Sequence, residues 1–375
     1  KLAVGWQAAD WLLFRGSVST AYRPPNLIQI NETIVVRSGT RNDYSFYQLV
    51  NDNSAKYLAD GGDPLKNPYT HNKSGDWDDR YTMQRQATGA KNLESEESTN
   101  SSIGFVLTPA DGLVITADFW SIEKENTIGL FGRGNHTVKD MVLRYKNGLN
   151  NCNTFVGNPA VLREAPDADI TDLFAVSGVC PFGDITYIAD EYMNLATRTI
   201  EGHDIGIYYD VDTDFGDFGV RYIGSFIDKF EQIPAAEFAE LAEQQASGLI
   251  PKDIELSGFG DLLGMDGNYD NKHRLRVSWS RDSWGAALTA LRKGSFYQKS
   301  LTLADGTRFV IPSMTTMDLT VDYRFDIRGN ATRVRLAVKN LQDERAPLAD
   351  RYYGYYADAH SDLGRNFYLD LRMSF

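Results

Sequence analysis

The sequence predicts an all-β fold, a transmembrane antiparallel up-and-down β-barrel contributing about eleven strands, and three observations lead there. Segments of alternating polarity recur along the chain, short and long connections alternate strictly between them, and no apolar run is long enough for a membrane helix. Aromatic residues supply 12% of the 375 residues, 20 of them Tyr and 19 Phe, and aromatic side chains fit a pleated, half-buried surface. The net charge of −13 sets nucleic acid aside as a partner, because a phosphate backbone is bound through a basic face.

The alternation is clearest at the C-terminus. Phe367, Leu369, Leu371, Met373 and Phe375 interleave with Asn366, Tyr368, Asp370, Arg372 and Ser374. A period of two commits one side chain in two to each face, so one face is apolar and the other polar. Val334, Leu336 and Val338 interleave with Arg333, Arg335 and Lys339; Met317, Leu319, Val321, Tyr323 and Phe325 interleave with Thr316, Asp318, Thr320, Asp322 and Arg324. Similar segments lie near 284–297, 271–281, 217–230, 198–212, 112–124, 99–109, 11–22 and 1–7, which makes eleven.

Short turns fall at Ala8-Ala9-Asp10, Pro109-Ala110-Asp111-Gly112, Asp214-Phe215-Gly216, Arg281-Asp282-Ser283 and 326–330. Long stretches fall between them at 23–98, 125–197, 231–270, 298–312 and 342–363. A membrane barrel sorts its connections this way, with short periplasmic turns and long outer loops. A solenoid or propeller would repeat at a near-constant period. The charged face has to meet a wet lumen, since a cation at the bilayer midplane costs about 2–4 kcal/mol. In a soluble sandwich those residues would be solvated sheet faces, and only the loop rhythm separates the two readings.

Basic Arg333 and Arg335 stand across neighbouring strands from acidic Asp318 and Asp322, a paired wall of mixed sign rather than a path for one kind of ion. Two loop segments read as helices, Ala235 to Ser247 after Pro234 and Thr137 to Lys146 before Gly148. Cys152 and Cys180 are the only cysteines and share one long loop, so a disulfide formed outside the cytoplasm is favoured over two unpaired thiols. The five histidines sit apart without triad or metal spacing, so neither a catalytic site nor a metal site is expected, and no cofactor. Asp60-Gly61-Gly62-Asp63 and Asp76-Trp77-Asp78-Asp79 read as solvated turns, lacking calcium-loop spacing. The loop aromatics Tyr352, Tyr353, Tyr355 and Tyr356, with Trp77, are the candidate ligand contacts, since exposed rings stack on sugars or aromatic ligands; the competing reading of the tyrosines is a girdle at the membrane interface.

Several stretches, in order, resemble TonB-dependent receptors. Tyr22-Arg23-Pro24-Pro25-Asn26-Leu27 ends a strand as the family's "aromatic-R-A/P-P" segment does. Asn92-Leu93-Glu94-Ser95-Glu96-Glu97-Ser98 is similar to the "L-K-P-E-x-S" start of a later strand, with Ser95 in place of Pro. Asp118-Phe119-Trp120-Ser121-Ile122 resembles "D-Y-W-x-I", Glu201-Gly202-His203-Asp204-Ile205 a "G-x-E/D" strand start, and Val338-Lys339-Asn340-Leu341-Gln342-Asp343 "V-x-N-L-F-D". The resemblance implies outer-membrane active transport of a scarce nutrient such as a siderophore chelate or carbohydrate, with a small-molecule ligand and no enzymatic step. It also implies that residues 1–375 are the C-terminal half of a 22-stranded barrel, with the first barrel half and the plug as partners upstream, the plug docking on the wall of Arg333, Arg335, Asp318 and Asp322 and contacting the TonB energy-coupling protein, and lipid surrounding the barrel. The rival expectations are a passive porin or adhesin barrel, or a secreted soluble all-β binding protein.

Overall fold

A computed structural model describes residues 1–375 except 32, 72–78, 155, 253, 255, 257, 304 and 375, and leaves out the side chains of 237, 300 and 302. Its main sheet is a run of eleven antiparallel strands in sequence order, each paired with the next. They are Leu2–Ala9, Leu12–Arg23, Glu96–Ala110, Leu113–Glu125, Arg198–Thr213, Gly216–Gln232, Asn271–Arg281, Trp284–Lys293, Met314–Ile327, Asn330–Lys339 and Asn366–Met373. The short strand Gly260–Asp261 adds to the end of Gly216–Gln232. The two outermost strands, Leu2–Ala9 and Asn366–Met373, do not pair with each other among the described residues, so the sheet is open.

Register carries the alternation across the sheet. Leu336 stands opposite Val321 on one side and Leu369 on the other, while Arg335 stands between Asp322 and Asp370. Apolar residues therefore align with apolar ones from strand to strand, and one face of the sheet is continuous in Leu, Val, Ile and aromatic side chains. These are exposed rather than buried. Val4, Ile103, Phe119, Leu336, Phe367, Leu369 and Leu371 all face outward, with Leu369 76% exposed. Asp370 on the other face is exposed too, since it lies on an edge strand with a neighbour on one side only. Short turns close one end of the hairpins. Arg328 and Gly329, at φ 53° and 83°, give the left-handed pair that a two-residue type I′ turn requires.

The predicted strand at 284–297 divides. Its alternation persists to Phe296, but the sheet strand stops at Lys293 and Phe296–Thr302 leaves to pair with Arg308–Ile311. Phe296 is buried there with Ile311, Tyr356 and Ala359, a small core at the long-loop end.

The larger departure concerns the loops at 23–98 and 125–197, which build one packed domain. Strands Val35–Asn42, Arg80–Thr88, Ile185–Asn194 and Ile128–Leu130 form a second sheet, with Val161–Arg163 added. Arg80–Thr88 and Ile185–Asn194 run parallel, which brings the two loops together. Helices Tyr44–Ala59, Arg133–Asn147 and Thr171–Ser177 pack beside it. The helix expected from Thr137 begins a turn earlier, at Arg133, while that expected over Ala235 to Ser247 spans Ala236–Ala246 and buries Phe238 and Leu241 against Phe131 and Val138.

Buried charge ties this domain together. The Arg163 guanidinium donates from Nη1 and Nη2 to the Asp43 carboxylate at 2.6 and 2.8 Å, from Nε to Asp140 at 3.0 Å, and to the Gly183 carbonyl at 2.9 Å. Arg144 donates to Asp140 at 2.8 Å and Tyr81 to Asp43 at 2.8 Å. Arg163 and Arg144 each lie over the Phe182 ring. Burial drives the Asp140 pKa upward, but Arg163 and Arg144 outweigh it and hold the carboxyl below the usual range. Cys152 and Cys180 form the expected disulfide, with Cα atoms 5.3 Å apart.

Candidate functional site

Two surfaces carry the chemistry: the polar face of the main sheet, and the packed structure beyond its long-loop end. Strand pleating puts Arg15, Asp118, Asp210, Arg221, Asp322, Arg333, Arg335 and Asp370 on one face, and they sort into ion pairs. Arg15 donates to both oxygens of Asp118, from Nε at 2.7 Å, and Arg221 Nη2 reaches both oxygens of Asp210 at 2.7 and 2.6 Å. Asp322 has Arg324 at 3.6 Å and Arg335 at 3.9 Å.

The expected four-residue wall is rearranged. Arg335 does face Asp322, but Arg333 stands opposite Arg324 and Arg372 and reaches Asp370 at 3.8 Å instead. Asp318 lies nearer the long-loop end of its strand, where its Oδ1 accepts from the Asn340 amide at 2.9 Å. The register accounts for both changes, since it sets Arg333 beside Arg324 and pairs Leu319 with Val338, which leaves Asp318 beyond the reach of either arginine's ladder position. Arg333 Nε, Arg335 Nε and Asp322 Oδ2 are buried and have no hydrogen-bond partner among the described residues.

In the last long loop Tyr352 and Tyr353 are 94% and 68% exposed and meet edge to face, with Tyr355 half-buried beside them. Tyr356 departs from the expectation of an exposed ring. It is buried against Phe296, donates its hydroxyl to Asp266 at 2.6 Å and receives a 2.7 Å bond from Arg351. Burial, then Asp266, pushes its pKa up to about 12. Tyr356 is thus a post for the loop that displays Tyr352 and Tyr353. Trp77 lies outside the described residues.

A family model for the "TonB dependent receptor-like, beta-barrel" matches residues 1–341. The chain belongs to the TonB-dependent receptor family. Members of this family are transporters and not enzymes. Among solved structures, the chain is similar to a mutant of the ferric enterobactin receptor PfeA from Pseudomonas aeruginosa, at 14% identity and a TM-score of 0.53, covering 98% of this chain and 39% of that one. The siderophore receptor PirA from Acinetobacter baumannii gives 14% identity and a TM-score of 0.51, covering 98% of this chain and 40% of that one. The chain therefore spans about two-fifths of the length of these receptors. A search of curated protein sequences gives no match.

The receptor motifs have local physical roles in this barrel segment. Arg23, from the Tyr-Arg-Pro-Pro stretch, pairs with Glu96 at 2.6 Å, and Lys124 joins the same carboxylate at 3.2 Å. Glu96 also accepts from the Ile128 amide at 2.8 Å, so this 3% exposed side chain locks the point where strands give way to the loop domain. Asn26 caps the short helix Leu27–Ile30 through a capping box with Gln29. Asp118, the first residue of the Asp-Phe-Trp motif, sits against Gly104, where any Cβ would strike its carboxylate. Asn340 takes a left-handed φ of 52° and grips Glu344 from both ends of its amide, which turns the chain after the Val-Lys-Asn strand.

Proposed function

We propose that this chain serves TonB-dependent uptake across a bacterial outer membrane, as the part of the receptor barrel that captures a small nutrient outside and walls its path inward. The observation that carries the reading is the folding of the long-loop side into a packed domain above a sheet that is apolar on one face and ion-paired on the other. Its apolar face meets lipid, and its charged face lines the lumen. The nutrient belongs to the siderophore chelates or carbohydrates; the solved receptors PfeA and PirA are named for ferric enterobactin and siderophores. Tyr352, Tyr353 and Tyr355 offer it aromatic surface. The unsatisfied atoms of Arg333, Arg335 and Asp322 favour a plug that completes their hydrogen bonds, since buried polar groups left unpaired cost about 1–3 kcal/mol. The two open sheet edges are supplied by the rest of the barrel, because unpaired backbone is not tolerated in lipid.

Transport is tested by supplying ferric siderophore chelates and oligosaccharides to cells that make the receptor, with and without TonB. Accumulation of one of them that disappears without TonB is expected; accumulation indifferent to TonB contradicts the reading. Lipid contact is tested at Leu336, 49% exposed on the apolar face and flanked by Val321 and Leu369. Leu336→Arg should destabilise the barrel in bilayers by about 2–4 kcal/mol. Urea titration of the receptor in lipid vesicles measures it, and an unchanged midpoint would place that face in water.

A further inference from the structure

The loop domain gathers positive charge on one face of its sheet, where Arg37, Arg41 and Arg85 are joined by Arg133. Arg37 and Arg85 stand directly opposite each other on the paired strands Val35–Asn42 and Arg80–Thr88. Like charges at facing positions of a ladder repel, so this pair weakens the sheet it sits in. Arg133, at the start of helix Arg133–Asn147, lies over Gly39 and donates to the Arg37 carbonyl at 3.4 Å. Burial first, then Arg41 and Arg85, hold its guanidinium below the ordinary arginine range, with Asp190 opposing.

Among the described residues neutralisation of this charge is incomplete. Among the described residues Asp190 is the one carboxylate within ion-pair reach, at 3.8 Å from Arg85, and it already accepts from the Gly132 amide at 3.2 Å and meets His136 at 3.2 Å. Among the described residues no carboxylate pairs with Arg37, Arg41 or Arg133, in a chain whose net charge is −13. The Arg85 Nε is buried with no acceptor among the described residues. Both Arg37 and Arg85 line a cavity of about 420 Å³ whose other walls include Ile28, Val35, Ala87 and Tyr192, and no described acidic residue lines it.

We propose that this cavity binds an anionic ligand with an apolar body, its charge held by Arg37 and Arg85 and its body against Ile28, Val35 and Tyr192. Guanidinium groups suit the role because each offers parallel donors to a carboxylate-like head. Arg41 and Arg133 add field without taking up the ligand's acceptors. A neutral sugar would leave the repulsion in place, whereas an anion relieves it on binding. The proposal deepens the uptake reading and rests on it for its biological sense, but the cavity is tested without transport.

Binding is followed by ligand-observed NMR on the intact receptor in detergent, with benzoate as the charged aromatic probe, benzamide as its uncharged counterpart and inorganic phosphate as the anion without a body. Benzoate should bind, benzamide and phosphate each at least about tenfold more weakly, the equivalent of one charge-assisted hydrogen bond. Arg37→Gln and Arg85→Gln should each weaken benzoate by about tenfold or more, while Arg37→Lys, which keeps the charge but loses the parallel donors, should recover only part of the affinity. Arg37 is exposed, so its substitution leaves the fold intact, and an unchanged melting temperature verifies this. Benzoate binding unaffected by either glutamine variant, equal binding of benzamide, or equal binding of phosphate overturns the proposal. TonB-dependent uptake without benzoate binding removes the site and spares the transport reading; benzoate binding in a receptor whose uptake ignores TonB does the reverse.

Discussion

Arg163→Met is expected to unfold the loop domain while leaving the main sheet in place. The Arg163 side chain is 5% exposed and bonds both Asp43 and Asp140, whose carboxylates are completely buried. Methionine fills similar volume but abandons two anions in an apolar interior. Tyr81 and Ser45 still serve Asp43, and Arg144 still serves Asp140, so the loss is partial. Breaking such a buried pair from one side costs about 3–5 kcal/mol. Hydrogen exchange should speed up across Tyr44–Ala59 and Arg133–Asn147, with protection retained in Asn271–Arg281 and Met314–Ile327. Unchanged exchange in the helices would show that the network does not hold the domain.

The second large effect is expected from the disulfide. Cys152 and Cys180 are 28 residues apart, and cross-linking a loop of that length removes chain entropy equivalent to roughly 3–4 kcal/mol in the unfolded state. A Cys152→Ser and Cys180→Ser receptor should lose the loop domain about 10 °C earlier on heating, given about 2–4 °C per kcal/mol for a domain of this size. Reductant should reproduce that shift in the parent protein and do nothing to the double variant. Near-coincident melting of the two forms would mean that the charge network and the apolar core suffice without the bridge.

The sheet is legible in the sequence because its signal is local. Period-two alternation with turn residues such as Arg281-Asp282-Ser283 marks each strand without knowledge of any other, and Asn271–Arg281 is readable to the residue. Faces follow from the same period, which is why Leu369 and Asp370 are assignable before any register is known. The loop domain is not legible, because its order comes from pairs distant in sequence. Asp43 and Arg163 are 120 positions apart, Ser45 and Asp140 are 95 apart, and the strand Arg80–Thr88 finds a parallel partner beyond Ile185. Helix Tyr44–Ala59 interleaves Phe46, Leu49 and Val50 with Asn and Asp residues that blur its apolar stripe, although Asp43 before it is a proper N-cap. Among the site residues, Tyr352 and Tyr353 stand out by crowding alone. Tyr356 reads wrongly as an exposed ring because its burial depends on Phe296 and Asp266, both in other loops. Arg37 and Arg85 give no signal in the sequence, since single arginines on separate strands acquire meaning only when the ladder sets them face to face.

If the chain works as a receptor barrel, one end of its sheet lies outside the cell and the other on the inner side of the outer membrane. Both cysteines of residues 1–375 are engaged in the disulfide, so an introduced cysteine is the one free thiol of this segment. Tyr352→Cys, on the most exposed ring of the last long loop, and Arg328→Cys, in the short turn after Ile327, sample the two ends. In intact cells a maleimide too large for porins should label Tyr352→Cys and spare Arg328→Cys until the outer membrane is permeabilised. Labelling of Arg328→Cys in intact cells, or of neither position before permeabilisation, would contradict the account.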